Sequence, residues 1–169
     1  MRLFYYLFTT LVFFSCSKNV ELIFDEDNGG LFLPQGFQSL VVHEGVGQSR
    51  HLAVNDNGDI YVKLRLDYGR NGNAALRDEN GDGKADVIER FGDYPNDGRF
   101  ATEMKINDGY LYYSSERVIY RQKLSPNKLI PDSPIEVVLT DPFPIRWHNA
   151  KSIAFDKINN MYVTFSGFT

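Results

Sequence analysis

Apolar and polar residues alternate along much of the chain after residue 30, and this pattern predicts β-strands. Three blocks carry it most clearly, at residues 52–62, 104–113 and 148–167. Each block has two short runs rich in β-branched and aromatic residues, separated by a polar turn, which is typical of a β-hairpin. No window keeps apolar residues at the i, i+3, i+4 and i+7 positions for three turns, so the pattern predicts no helix.

The three hairpins recur at nearly constant spacing. The central tyrosines of their second strands, Tyr61, Tyr112 and Tyr162, are 51 and 50 residues apart. Such a period has room for about four short strands, and four-stranded sheets stacked radially on copies of themselves form a β-propeller. Three unrelated hairpins are the alternative, which the spacing disfavours. We expect the following hairpin residues to be buried: Ala53, Val54, Ile60, Val62, Ile106, Leu111, Ile153, Phe155 and Val163.

The chain divides into three predicted parts. Residues 1–15 are a signal peptide, residues 16–30 a polar and then acidic tether, and residues 31–169 a partial propeller. We place its blades near residues 31–66, 74–124 and 135–169. The fold class is therefore all-β, with about three blades, whereas a closed propeller typically has four to eight. We expect an open fragment of a longer protein.

The N-terminus has the features of an export signal. Arg2 precedes an apolar run at residues 3–14, and these 12 residues are too few to span a bilayer, which needs about 20. Ser15 and Cys16 resemble the lipobox of bacterial lipoproteins, whose cysteine is lipidated and becomes the new N-terminus, although Phe13 stands where that family more often has leucine. An ordinary signal peptide is the alternative. The resemblance implies a membrane-anchored lipoprotein of the bacterial periplasm or cell surface.

Net charge and cysteine content limit the partners and the cross-links that this chain can have. Without residues 1–15 the chain has 17 basic and 22 acidic residues, a formal net charge of −5. An acidic surface does not suit non-specific nucleic-acid binding, so we expect no nucleic-acid partner. Cys16 is the one cysteine, which excludes an intrachain disulfide.

Residues 78–89 have the spacing of a calcium-binding loop. Side-chain oxygens fall at loop positions 1, 3, 5, 9 and 12, and Gly83 stands at position 6. The candidate ligands are Asp78, Asn80, Asp82 and Asp86. However, the flanking residues predict strands rather than the two helices of an EF-hand. The alternative is therefore an acidic hairpin turn, for which Asn-Gly and Asp-Gly are strong signals.

His148 is the candidate catalytic residue. It follows a proline-bearing loop and precedes an apolar strand, and such a position in a propeller can face the central channel. A neutral imidazole there can accept a proton from a hydroxyl group. The alternative is a structural histidine that only hydrogen-bonds the loop beside Trp147. We interpret His43 and His51 as structural.

Several segments resemble the glucose/sorbosone dehydrogenase family, whose members are six-bladed propellers that depend on pyrroloquinoline quinone (PQQ). Residues 33–37 and 50–62 look like its opening blade. Residues 75–78, 80–86 and 148–156 resemble the sorbosone-dehydrogenase-like branch. The resemblance covers most of residues 31–169, but only about the first half of the family's domain.

This resemblance implies an exported enzyme that passes hydride from a sugar or aldehyde to PQQ, with His148 as the general base. The family's Gly-Arg pair after the histidine is Lys151-Ser152 here, and its orienting Gly-Asp is Gly167-Phe168. A glutamine with which the family contacts its cofactor has its nearest counterpart at Arg99, which does not match it. The family residues that hold the quinone lie in later blades, and the electron acceptor is unknown.

Three hypotheses follow for the function. The chain is the N-terminal part of a PQQ-dependent dehydrogenase, a non-catalytic propeller lipoprotein that binds carbohydrate or protein at the cell surface, or an inactive truncated remnant.

Overall fold

The fold of this chain is all-β. The computed structural model describes residues 22–65, 71–94, 103–141 and 151–165. These residues form ten strands, and their helical structure is limited to a 3-10 turn at Asn28–Gly30. The strands are β1 (Ser49–Val54), β2 (Ile60–Leu64), β3 (Asn71–Arg77), β4 (Val87–Asp93), β5 (Met104–Asn107), β6 (Tyr110–Ser114), β7 (Val118–Lys123), β8 (Glu136–Thr140), β9 (Lys151–Phe155) and β10 (Met161–Phe165). No helix among the described residues is long and apolar enough to cross a membrane.

Consecutive strands pair antiparallel and form three sheets. The first sheet has the order β1-β2-β3-β4, the second β5-β6-β7-β8, and the third consists of β9 and β10. The three predicted hairpins are β1–β2, β5–β6 and β9–β10, and their existence is confirmed. Tyr61, Tyr112 and Tyr162 pair with Ala53, Lys105 and Ala154, respectively, so each tyrosine sits across from the first strand of its own hairpin.

The sheets stack face to face around their first strands. Strand β5 contacts β1 on one side and β9 on the other, so these three strands, which we call the inner strands, lie next to each other. This is the arrangement of propeller blades around an axis. The described sheets therefore form an open, partial propeller, as the hairpin period predicts.

The main core lies between the first and second sheets. Tyr61 and Phe91 from the first sheet meet in an edge-on ring contact with centroids 6.1 Å apart. On the second sheet, Tyr113 and Tyr120 lie on the facing surface, with ring centroids 5.9 Å apart. The Tyr61 hydroxyl donates to the carbonyl of Leu129 at 3.1 Å. The core is thus aromatic, and its hydroxyl groups are satisfied within the protein, as buried polar groups must be.

Burial of the hairpin residues follows the predicted pattern only in part. Val62, Leu111 and Ile153 are buried. Val54 is 57 % exposed, so the expectation of burial is wrong for this residue. Val54 and Leu52 point away from the second sheet, and strand alternation gives their neighbour Ala53 the packed face. The remaining residues of that set are partly buried.

The grouping of strands differs from the predicted blade boundaries. The first sheet runs from Ser49 to Asp93, across the boundary expected between residues 66 and 74. The reason is that each period contributes the repeated hairpin first and two further strands after it. Residues of the predicted tether also contact the fold, because the Asp25 carboxylate accepts a hydrogen bond from the Val41 N–H at 2.6 Å.

Candidate functional site at the starts of the inner strands

The starts of the three inner strands meet at one place. His51 lies near the start of β1, Glu103 immediately precedes β5, and Lys151 is the first residue of β9. Polar side chains cluster here because each inner strand is entered from a loop, where the sheet ladder no longer satisfies every backbone group. This end of the sheets is the candidate functional site.

Glu103 connects all three sheets. Its side chain is 3 % exposed, and Oε2 accepts a hydrogen bond from the Ile153 N–H of β9 at 2.8 Å. Oε1 accepts from the Met104 N–H at 3.0 Å and lies 3.5 Å from His51 Nε2 of β1. A carboxylate held by two backbone N–H groups and an imidazole is well satisfied despite its burial. Glu103 is not among the predicted site residues. The one sequence feature that marks it is its position directly before an apolar strand.

Lys151 is a buried cation. Its Nζ lies 3.5 Å from Asp141 Oδ2, and the two side chains are 1 % and 6 % exposed. Nζ also donates to the carbonyl of Glu116 and lies 5.9 Å from the centre of the Phe165 ring. Lys151, which stands where the family pattern has glycine, therefore has its polar partners inside the fold. The next residue, Ser152, is exposed.

Lys63 of β2 is a second buried cation near this end. Its Nζ donates to the carbonyls of Leu64 and Gly72 at 3.1 and 2.9 Å, and to the Tyr94 hydroxyl at 2.6 Å. A Cβ atom on Gly72 would lie 2.2 Å from the Tyr94 hydroxyl, so this close approach requires glycine. The ammonium groups of Lys63 and Lys151 therefore both interact with polar partners inside the fold.

Several residues named in the sequence analysis lie outside the described residues. They are Cys16, Arg99, Trp147, His148, Gly167 and Phe168. Because the structure does not describe these residues, the lipidation of Cys16 and the role of His148 as a general base stay predictions. His148 comes three residues before Lys151, which starts β9.

The predicted calcium loop connects β3 to β4 and is held by its own side chains. Asp78 accepts hydrogen bonds from the Gly81 N–H at 2.6 Å and the Gly83 N–H at 2.7 Å. Asn80 and Asp82 accept from the N–H two residues on, and Asp86 accepts from the Glu79 N–H. Burial raises the pKa of Asp78, but the backbone hydrogen bonds outweigh it and hold that pKa below 3.8.

Gly83 provides the backbone conformation that the tight turn of this loop needs. Its φ of +90° lies in the left-handed region, which favours glycine. A Cβ there would lie 2.2 Å from Leu40 Cδ2, so the loop also packs closely on the preceding segment. Over the described part of the chain, no three His, Cys, Asp or Glu side chains are placed to hold a metal ion. The calcium interpretation therefore stays a prediction.

The fold and the inner-strand geometry define the class of protein as an open, all-β propeller-like protein. No protein-family model and no curated protein matches the sequence. Among solved structures, the chain is similar to the holo form of the PQQ domain of pyranose dehydrogenase from Coprinopsis cinerea, with a TM-score of 0.56 and 11 % sequence identity. The match covers 70 % of this chain and 27 % of that chain. At this identity the likeness shows the fold alone.

Proposed function

We propose that this chain is the N-terminal portion of an exported PQQ-dependent dehydrogenase that oxidises a sugar or an aldehyde. The observation that carries the proposal is the likeness of the fold to the PQQ domain of a pyranose dehydrogenase. The resemblance of residues 33–37, 50–62 and 148–156 to glucose/sorbosone dehydrogenases supports the same class on separate grounds. Since the chain spans 27 % of the similar structure, the activity belongs to a larger assembly of sheets.

In this proposal, His148 is the general base that takes the proton of the substrate hydroxyl. Its support is the position of β9, the strand that follows His148, because the Ile153 N–H of this strand donates to Glu103 at the candidate site. A general base has to come within hydrogen-bond distance of the proton it removes. The resemblance of residues 148–156 to the dehydrogenase family supplies the rest of the argument.

The described residues do not fit PQQ by themselves. The cofactor is a quinone with three carboxylates, so its site needs cationic side chains that face a common space. The two lysines near the candidate site, Lys63 and Lys151, instead donate to Tyr94, Asp141 and backbone carbonyls. We therefore derive no step through the quinone, and the proposal assigns its binding to residues beyond those described.

The deciding experiment compares the 169-residue chain with the product of any longer reading frame that contains it. We expect the 169-residue chain to reduce no dye acceptor with sugars or aldehydes, even with added PQQ and calcium, because its described residues present no cationic set for the cofactor. The longer product should turn over, and His148→Ala in it should lower the rate by about 10²–10⁴-fold. Turnover by the short chain would place the cofactor site among these residues. Full activity of the alanine variant would remove His148 from the mechanism.

A non-catalytic propeller lipoprotein or an inactive remnant is the second candidate. It is favoured by the internal use of Lys63 and Lys151, and by Phe168 where the family has an orienting aspartate. Turnover of a sugar or an aldehyde by the longer product would contradict this candidate. Retention on a carbohydrate resin without PQQ binding would support a binding protein.

Membrane anchoring through Cys16 belongs to the same proposal. One acyl chain gives only marginal binding, with a partition constant of about 10⁴ M⁻¹, so a stable lipoprotein carries more than one. Cys16→Ala should therefore move the protein from the membrane fraction to the soluble fraction when it is produced in a bacterium. Unchanged fractionation of this variant would exclude the lipid anchor and leave the dehydrogenase assignment untouched.

A further inference from the structure

A buried ion pair joins the described residues on either side of the segment that carries His148. Asp141 follows β8 directly, and Lys151 is the first residue of β9. Lys151 Nζ lies 3.5 Å from Asp141 Oδ2, and the two side chains are 1 % and 6 % exposed. Residues 142–150, which include His148, connect these two residues in the sequence. The ion pair therefore holds the two ends of this segment together.

Both ends are also attached to the turn between β6 and β7. The Asp141 N–H donates to the carbonyl of Arg117 at 2.7 Å, and the Arg117 guanidinium donates to the carbonyl of Asp141 at 3.3 Å. Lys151 Nζ donates to the carbonyl of Glu116 in the same turn. The ends of the segment are thus fixed to each other and to the second sheet.

The burial of these two charges points to a role beyond stability. Taking an ion pair out of water has a desolvation cost that apolar side chains of similar size do not incur, so a buried pair is weak evidence for stability. The better supported use of such a pair is to specify one arrangement of the chain. Because the pair is buried within this chain, its environment does not depend on any further sheet of a longer protein.

We propose that Lys151 and Asp141 are positioning residues for the general base His148. By fixing both ends of residues 142–150, the pair limits the positions that the imidazole can occupy, and proton removal needs hydrogen-bond distance to the substrate hydroxyl. Misplacing a catalytic group by about 1 Å can cost about 10²-fold in rate. The catalytic part of this proposal rests on the proposed function, whereas the restraint on the segment concerns this chain alone.

The restraint can be measured without any activity, because Trp147 is the one tryptophan of the chain and directly precedes His148. Acrylamide quenching of its fluorescence in the full chain reports how accessible the segment is. We expect Lys151→Met and Asp141→Leu each to raise the quenching constant by about twofold, since the segment loses an attachment and opens locally. Unchanged quenching in both folded variants overturns the proposal.

A second variant is needed because a single substitution leaves a buried charge without its partner, which can unfold the protein. The double variant Lys151→Met/Asp141→Leu removes both charges and keeps apolar side chains in their place, so we expect it to stay folded, which urea unfolding checks. It should raise the quenching constant by about the same factor as a single variant, because both substitutions remove one interaction. Quenching equal to that of the unaltered chain, or single effects that add up in the double variant, would show that the pair does not restrain the segment.

The catalytic part is tested in the longer product. The same double substitution should lower kcat by about 10–100-fold and leave KM within about twofold, since the groups that bind the substrate are unchanged. In a His148→Ala background it should change the residual rate by less than about twofold, because no base is left to position. A further large loss in that background would reveal a general structural effect and overturn the positioning role.

The matched control is Lys128→Met, which breaks an exposed ion pair with Asp132 in the connection between β7 and β8. It should change neither the quenching nor the turnover, and effects as large as those of Lys151→Met would overturn the proposal. If the unaltered longer product has no turnover, the proposed function fails and the catalytic part fails with it. The quenching of Trp147 then still decides whether the buried pair restrains the segment.

Discussion

The two places where sheets meet in this molecule are built differently. Between the first and second sheets, four-stranded faces cover each other, and Tyr61 and Tyr113 are 1 % and 0 % exposed. Between the second and third sheets, the third contributes two described strands, and Phe155 is only partly buried although its ring centre lies 4.8 Å from that of Tyr112. Both contacts have a buried core, but the cluster between the second and third sheets has three buried residues, whereas the main core has nine.

The tyrosine hydroxyl groups also differ between these two parts of the molecule. Between the first and second sheets, the Tyr113 hydroxyl donates to Gln122 Oε1 at 2.8 Å, and burial raises the pKa of Tyr61 to about 12. On the outer surface of the third sheet, the Tyr162 ring is 58 % exposed, and its hydroxyl donates to Asp156 at 3.1 Å. Tyr61 and Tyr162, which are equivalent in the repeat, thus have opposite environments. Four predictions test how buried and exposed parts of the molecule differ.

The largest effect should come from removing a ring between the first two sheets. Tyr113→Ala should lower the free energy of unfolding by about 3–5 kcal/mol, because it leaves a large cavity and takes the donor away from Gln122 Oε1. Phe155→Ala should cost about 1–2 kcal/mol, since that ring is only partly buried. Urea unfolding of both variants measures the difference. Equal losses would show that the two inter-sheet contacts are equally well packed.

The next effect concerns the carboxylate that connects the inner strands. Glu103→Ala should lower the free energy of unfolding by about 2–4 kcal/mol, because the backbone N–H groups of Met104 and Ile153 lose their buried acceptor. The control is Glu136→Ala, which removes an exposed partner of Arg121 and should cost no more than about 1 kcal/mol. A loss for Glu103→Ala as small as that of the control would mean that Glu103 does not hold the sheets together.

A pH dependence should come from Asp59, which precedes β2 and accepts two hydrogen bonds of 2.7 Å from Arg77. Burial raises its pKa, but the hydrogen bonds from Arg77 and Asn57 and the charge of Arg77 outweigh that effect and hold the pKa below 3.8. A folded-state pKa below the unfolded value means that this stability is present above about pH 4 and is lost as the pH falls further.

Asp59→Asn should therefore destabilise the protein by about 1–3 kcal/mol at pH 7 and much less at pH 3. Urea unfolding at both pH values measures the two differences. A penalty that stays constant between pH 7 and pH 3 would show that the charge of Asp59 contributes nothing.

The smallest effect concerns the loop between β3 and β4, outside both inter-sheet contacts. Asp78→Ala should cost about 1 kcal/mol, because the carboxylate accepts backbone N–H groups as a helix-capping residue does, at a partly exposed position. A calcium titration then separates the two interpretations of the loop. A melting temperature that rises with calcium, and no longer rises in Asp82→Ala, would establish a metal site through preferential binding to the native state. No rise would leave a turn held by its own side chains.

Much of the fold could be predicted because its signals are local. Alternation over a few residues and a turn between them predicted all three hairpins, and the spacing of Tyr61, Tyr112 and Tyr162 predicted their repetition. The candidate site could not be predicted in the same way. Glu103, Lys63 and Lys151 are ordinary charged residues in the sequence, and partners up to 50 residues away determine their burial.

The sequence by itself determined that this protein is built from repeated antiparallel hairpins, because side-chain alternation and turn chemistry act within about ten residues. Only the tertiary structure decided which face of each hairpin is buried. Val54 and Ala53 have the same alternating context, yet one faces solvent and the other packs on the second sheet. The tertiary structure also buried two lysines and a glutamate among polar partners inside the fold. These outcomes depend on contacts between sheets, which bring distant residues together and leave no periodic signal along the chain.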